Sequence, residues 1–253
     1  MKSLMPRRPL ARFALLVLIS VVIVVVGLVI YFGSPAGEVM AEAEAALVSD
    51  GTVRVSREPW IVFMPTANSI TSGFILYPGG RVSPEAYAPL ARSLAEAGSL
   101  VVIVPMPLNL AILNTEAATA VIEAYPRIST WVIAGHSLGG SMAARYAHEN
   151  PGSVDGLVML AAFPEAHFDF RGQDLAVAII YGDRDGLATV DEVEGSFSQL
   201  PANSLKIVIE GGNHAQFGWY GEQAGDLPAQ ISRREQQEKV IDAALSLVRE
   251  AGK

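Results

Sequence analysis

The stretch TWVIAGHSLGGSMAARYAH, residues 130–148, leaves the chain few ways to fold. Trp131-Val132-Ile133-Ala134 reads as a short strand buried on both faces, and Met142, Ala143, Tyr146 and Ala147 recur at helical spacing soon afterwards. Between them lies Gly135-His136-Ser137-Leu138-Gly139, with the spacing G-x-S-x-G. A strand that turns into a helix within so few residues leaves no room for side chains around the bend, so glycines flank it and the serine hydroxyl is pushed outward. Such a unit calls for a sheet with helices packed on it and places Ser137 at the carboxyl end of a strand.

The flanking sequence repeats the same alternation. Thr52–Pro65 reads as one or two edge strands, Gly73–Tyr77 as a strand, Pro84–Ala97 as a helix and Leu100–Pro105 as a continuous apolar strand. A helix around Glu116–Tyr125 precedes the Trp131 strand, and the Leu138–Glu149 helix follows it. Strands at Val154–Ala161 and Leu175–Tyr181, a helix near Val190–Leu200, a strand at Leu205–Glu210 and an amphipathic helix from Ser232 to Glu250 complete the order. Strands apolar on both faces and separated by helices predict an α/β fold, a mostly parallel central sheet with helices on both faces. The connector Phe163–Asp174 is too short for a lid domain, so an open active site is expected.

A serine hydroxyl is a weak nucleophile at neutral pH and needs a base oriented by a carboxylate. In this kind of sheet the partners come in the order Ser, Asp, His, each in a loop after a strand. AVAIIYGDRDGLA ends a strand at Tyr181 and turns through Asp183, Arg184 and Asp185. Asp185 lies deeper in the loop and is the expected acid, whereas Asp183 is expected to cap the turn or pair with Arg184 or another basic group. KIVIEGGNHAQFGWYG turns through Gly211-Gly212-Asn213 into His214, the expected base. The other three histidines read differently: His136 as the variable position of the serine turn, His148 at the end of the following helix, and His167 in the connector. No histidine is paired with a second ligand at helical or strand spacing, so neither a metal nor a cofactor is expected.

The oxyanion formed on acyl transfer needs two backbone N–H donors. Leu138, directly after the serine, is the first; the loop Pro78-Gly79-Gly80-Arg81 offers the second, with Gly80 preferred and Arg81 the alternative. Met106, Phe163, Gln216 and Phe217 are candidate substrate contacts with an equal claim to core packing.

The pieces YPGG, GHSLGG, YGDRDG and GGNHAQFG, in this order, resemble the α/β-hydrolase superfamily, and more closely its small lidless bacterial members related to dienelactone hydrolases, the fifth α/β-hydrolase-fold family. The resemblance covers residues 45–250. It implies Ser137 as nucleophile, Asp185 as acid, His214 as base and the Gly79-Gly80 loop as oxyanion donor. Tyr77-Pro78 stands where lipases carry a leading histidine, and the cysteine nucleophile of dienelactone hydrolases is missing, so neither specificity transfers.

Phe13–Phe32, FALLVLISVVIVVVGLVIYF, is an uncharged apolar run of 20 residues. As a helix it would reach across the ~30 Å hydrocarbon core of a bilayer. Lys2, Arg7, Arg8 and Arg12 all precede it, which predicts a cytoplasmic segment 1–12, a transmembrane helix 13–32 and an extracytoplasmic remainder. A cleaved signal peptide, giving a secreted protein, is the rival; the run is too long for a typical one, and small residues suited to cleavage come only near Ala41–Ala43. Residues 33–50, rich in alanine and glutamate, read as a partly helical stem, and the turn at Asp50-Gly51 opens a hydrolase domain over 51–253. Beyond the apolar run, 14 basic residues face 26 acidic ones, a net charge of −12 that repels nucleic acid. The absence of cysteine excludes disulfides and a thiolate nucleophile. The expected activity is serine-dependent hydrolysis of a carboxylic ester or related acyl compound; an acyltransferase with the same triad, or a non-catalytic binding domain at the membrane surface, are the alternatives.

Overall fold

The computed structural model describes residues 8–66 and 69–252. Eight strands, β1 (Val53–Ser56), β2 (Ile61–Pro65), β3 (Ser72–Tyr77), β4 (Leu100–Ile103), β5 (Thr130–His136), β6 (Gly156–Leu160), β7 (Ala176–Gly182) and β8 (Leu205–Ile209), form one sheet. Their order is β1-β2-β4-β3-β5-β6-β7-β8. From β4 through β8 every pairing is parallel, while β2 runs antiparallel to both β1 and β4. The expected α/β fold is therefore the one observed. Of the two strands read from Thr52–Pro65, only β1 is an edge.

Parallel neighbours need crossovers, and helices supply most of them: α3 (Ala88–Glu96) after β3, α4 (Ala117–Ala124) after β4, α5 (Leu138–Glu149) after β5 and α6 (Val190–Ser196) after β7. The sheet splits its side chains by the two-residue period. Phe74 and Leu76 of β3 join Leu90 and Leu94 of α3 and Val240 and Leu247 of α7 (Arg233–Ala251) on one face. Ile75 and Tyr77 join Met142 and Ala143 of α5 and Val121 of α4 on the other. The β6–β7 connector contains turns and no helix, as its length predicts.

Several boundaries differ from expectation for identifiable reasons. The helix expected over Pro84–Ala97 starts as a 3-10 turn, Pro84–Tyr87, because Pro89 has no N–H for the carbonyl of Glu85. The helix expected to reach Leu200 tightens into a 3-10 turn at Phe197–Gln199 ahead of Pro201, since a residue before proline avoids helical geometry. The largest difference lies in the stem. Residues Ala41–Ala46 form a helix, α2, whose Ala43 and Ala46 are buried with Leu47 against the body, so the folded unit begins about ten residues before Gly51. Asp50 ties this segment down: its carboxylate accepts the N–H groups of Thr52 and Val53 and pairs with Arg92 on α3 at 2.7 Å.

At the other end, α1 (Arg8–Gly33) is a single long helix. Ala11–Gly33 is long and apolar enough to cross a membrane, and the rest of the chain buries none of it. Lys2 and Arg7, which contribute to the expected orientation, lie outside the described residues.

Candidate active site

Ser137 stands between β5 and α5 with φ 53° and ψ −125°, a conformation that L-residues avoid and that persists only where the surroundings force it. The force is steric closeness of backbone to backbone. A Cβ on Gly135 would lie 2.2 Å from the carbonyl oxygen of Gly139, and one on Gly139 would lie 2.2 Å from that of Tyr77. Both glycines of the G-x-S-x-G spacing are thus required by contact, and the Ser137 N–H is held by the Leu160 carbonyl at 2.9 Å.

Asp185 and His214 meet although 29 residues separate them. The His214 Nδ1 lies 2.9 Å from Oδ2 of Asp185 and 3.1 Å from Oδ1, and the two side chains are essentially buried. The Asp185 Oδ1 also accepts the N–H groups of Leu187 and Ala188, at 2.8 and 2.7 Å. These two bonds fix the carboxyl group's orientation against the imidazole ring. Asp183 takes the capping part expected of it, but across loops: its carboxylate accepts the Gly211 N–H at 2.7 Å, joining the acid loop to the histidine loop.

The His214 Nε2 is buried and has no hydrogen-bond partner among the described residues. The ring of His136, next to Ser137, lies 4.5 Å from the His214 ring, centroid to centroid. The bond from Ser137 to His214 is not formed in this arrangement; in ligand-free enzymes this contact is often long and tightens only with substrate present. The site is less open than the short connector implies, since His214 is only 1 % exposed.

Among the described residues neither Gly80 nor Leu138 spends its N–H on an acceptor, whereas the Arg81 N–H donates to the carbonyl of Asn109 at 2.8 Å. That bond removes the Arg81 alternative. Gly80 and Leu138 are neighbours: a Cβ on Gly80 would lie 3.3 Å from the Leu138 side chain.

The four candidate substrate contacts fall in different surroundings. Phe217 is fully buried and stacks on His136 at 5.7 Å, the core packing that was its other reading. Met106 is buried against the α5 side of the sheet, and Gln216 turns away, its Nε2 donating to the carbonyl of Ile231. Phe163, half-buried after β6, holds the Ser141 hydroxyl of α5 through its carbonyl at 2.9 Å.

Three residues at the site carry no local signal. His136, read as a variable position, is fully buried, and its Nδ1 is 2.8 Å from the Tyr87 hydroxyl, which in turn accepts the Gly79 N–H at 2.9 Å. This chain of bonds ties the Gly79-Gly80 loop to the serine turn. Burial drives the His136 pKa well below its ordinary 6.5, with the neighbouring His214 adding to the shift. The unfolded chain therefore binds a proton that the folded chain refuses, so stability holds above about pH 6.5 and falls below it, by up to ~1.4 kcal/mol per pH unit. Thermal melts from about pH 8 to about pH 5 are expected to show that decline, and His136→Asn, which retains an acceptor for Tyr87, to flatten it. An equally steep decline in the variant would assign the proton to another group.

Asp226 is the third. Its carboxylate accepts the N–H groups of Gly186, His214 and Ala215 at 3.1, 3.3 and 2.9 Å, and so clamps the acid loop to the histidine loop from outside. Asp226→Ala leaves those donors to water and is expected to lower kcat/KM about 10- to 100-fold while costing about 1–2 kcal/mol of stability. Kinetics paired with denaturant melts would check it; unchanged kcat/KM would mean that the two loops hold their geometry alone.

A strained serine at the carboxyl end of a central parallel strand, a buried Asp–His pair in the loops after β7 and β8, and an uncommitted pair of N–H groups define the layout of an α/β hydrolase. The profile of the alpha/beta hydrolase family matches residues 73–238, about two-thirds of the sequence, and the chain belongs to that family. No curated protein matches it by sequence. A solved structure from work on LipS and LipT, two metagenome-derived lipolytic enzymes that increase the diversity of known lipase and esterase families, is similar in fold, with a TM-score of 0.55 and 15 % identity. The match covers 72 % of this chain and 95 % of that one.

Proposed function

We propose that this chain is a membrane-anchored serine hydrolase acting on a carboxylic ester or a related acyl compound. The Ser137 hydroxyl attacks the acyl carbon and passes its proton to the His214 Nε2; the oxyanion is received by the Gly80 and Leu138 N–H groups. The protonated His214 gives its proton to the departing alcohol. Water, activated by the same nitrogen, then releases the acid and restores Ser137. Asp185 holds the Nδ1 proton throughout, leaving Nε2 free to act as a base. The observation that carries this reading is the buried Asp185–His214 pair, 2.9 Å apart, with its remaining ring nitrogen unpartnered beside the strained serine turn. The lipolytic neighbour is consistent with an ester substrate.

The anchor belongs to the same proposal. The Ala11–Gly33 stretch, apolar and with none of its residues buried by the folded body, serves as an uncleaved membrane helix with the catalytic domain outside the cytoplasm. Intact-mass measurement after treatment with a fluorophosphonate tests the chemistry: one adduct on the full chain, absent in Ser137→Ala and much reduced in His214→Ala, is expected. No adduct on folded protein would count against a serine hydrolase.

A further inference from the structure

The carboxyl end of α1 ends on the site itself. The Gly33 carbonyl accepts the Asn109 side-chain amide at 3.0 Å, and the Ser34 carbonyl accepts the Arg81 Nε at 3.3 Å. The Arg81 carbonyl accepts the Ala36 N–H at 2.7 Å, and its guanidinium lies 4.0 Å over the Tyr31 ring. Arg81 directly follows Gly80, and Asn109 belongs to the segment after β4. The junction between the apolar helix and the folded body is therefore built from the two loops that border the Gly80–Leu138 donor pair. Three of the five non-glycine residues with positive φ among those described, Arg81, Leu108 and Asn109, lie in these two loops, as expected of backbone shaped by the contact it makes.

The surface beside the junction is apolar. Outside α1, seven large apolar side chains among the described residues are exposed, and five of them, Leu108, Ile112, Leu113, Leu187 and Leu227, stand in loops at the carboxyl end of the sheet. Ile112 and Leu113 are each more than half exposed. A soluble surface rarely concentrates such residues at one end. A helix that spans a bilayer fixes the depth of whatever it touches at its end: with Gly33 at the headgroup level, Leu108 and Asn109 are there too, and Tyr31 sits where aromatic residues anchor helices.

We infer that the carboxyl-end face of the sheet lies against the bilayer that holds α1, with Leu108, Ile112 and Leu113 inserted among the lipids, and that Ser137 takes its acyl substrate laterally from the membrane. The inference rests on the anchored-hydrolase reading and names its substrate class: an amphiphile whose acyl ester resides in the leaflet. The strongly acidic body disfavours an anionic surface, so the surface it fits is zwitterionic.

The absence of native cysteine makes a direct depth measurement clean. The full chain would be reconstituted in phosphatidylcholine vesicles as Ile112→Cys, Leu113→Cys and, as a reference, Val48→Cys, exposed just before β1, whose first residue pairs with the last of β2 at the opposite end of the sheet. Each would carry an environment-sensitive fluorophore, read with and without spin-labelled lipid. Strong quenching at 112 and 113 and little at 48 is expected. Equal, weak quenching at all three in protein that floats with the vesicles would overturn the inference and leave the anchor standing; protein that does not float would overturn both. A disulfide dimer through Ile112→Cys without quenching would assign the face to a second copy of the chain instead. The activity arm compares Ile112→Ser/Leu113→Ser with the parent on a vesicle-borne fluorogenic acyl ester and on a short water-soluble ester. A loss of about tenfold on the first with little change on the second is expected, the pattern of lost interfacial partitioning. Equal rates on both would overturn lateral uptake. Loss of the fluorophosphonate adduct from the parent would instead sink the hydrolase reading on its own.

Discussion

Ser137→Ala is expected to lower kcat/KM on a short acyl ester by about 10⁵- to 10⁶-fold, the largest single effect any substitution in this chain should have. Alanine removes only the attacking oxygen. The turn itself is set by Gly135 and Gly139, whose missing side chains let three backbone segments approach, and by the Ser137 N–H bond to Leu160. The variant should therefore fold and melt within about 0.5 kcal/mol of the parent, or slightly higher if the strained residue is better tolerated as alanine. What remains of the activity would report the two N–H donors and His214 acting on a bound ester without a nucleophile. Measured kcat/KM within about tenfold of the parent would remove Ser137 from the reaction, whatever the fold.

Asp185→Asn should cost about 10⁴-fold, for a reason that the hydrogen bonds make specific. The Asp185 Oδ1 accepts two N–H groups, from Leu187 and Ala188, so an asparagine must leave its carbonyl oxygen there and turn its NH₂ toward the His214 Nδ1. A donor facing Nδ1 forces that nitrogen to accept, moves the imidazole proton to Nε2 and deprives Ser137 of its base. Asp183→Asn is the contrast. Among the described residues the Asp183 carboxylate accepts only the Gly211 N–H, which an amide oxygen can also do, so kcat/KM should stay within about tenfold. Kinetics on both variants decide the matter; the reverse order of effects would transfer the acid's part to Asp183.

Much of this arrangement is legible in short stretches. The serine turn announces itself because a strand-to-helix reversal needs glycine at fixed offsets, a local steric requirement. The Leu138–Glu149 helix is legible to the residue, and every strand from Gly73 onward within a few residues, because parallel strands buried on both faces are uniformly apolar. Asp185 can be preferred over Asp183 from its depth in the loop. What was not legible shares a cause. Gln216 and Phe217 follow the histidine closely in sequence and look like pocket residues, yet the 3-10 turn at Ala215–Phe217 rotates Phe217 into the core. The stem's partial helicity is legible in its alanine and glutamate content, but six residues carry too little periodic signal to show that Ala43 and Ala46 of α2 pack on the body.

The order of strands and helices, the bend at Ser137, the acidic and cysteine-free character of the body and the apolar helix ahead of it are all written locally in the chain, since each follows from sterics, periodicity or composition within a few residues. Folding alone brings His136 to Tyr87 across 49 residues, Asp226 to Gly186 across 40, and Asn109 to the end of the apolar helix across 76. Those contacts join separate loops at one end of the sheet. No local pattern encodes them, because the residues become neighbours only once the parallel strands have aligned all of their carboxyl ends on one side.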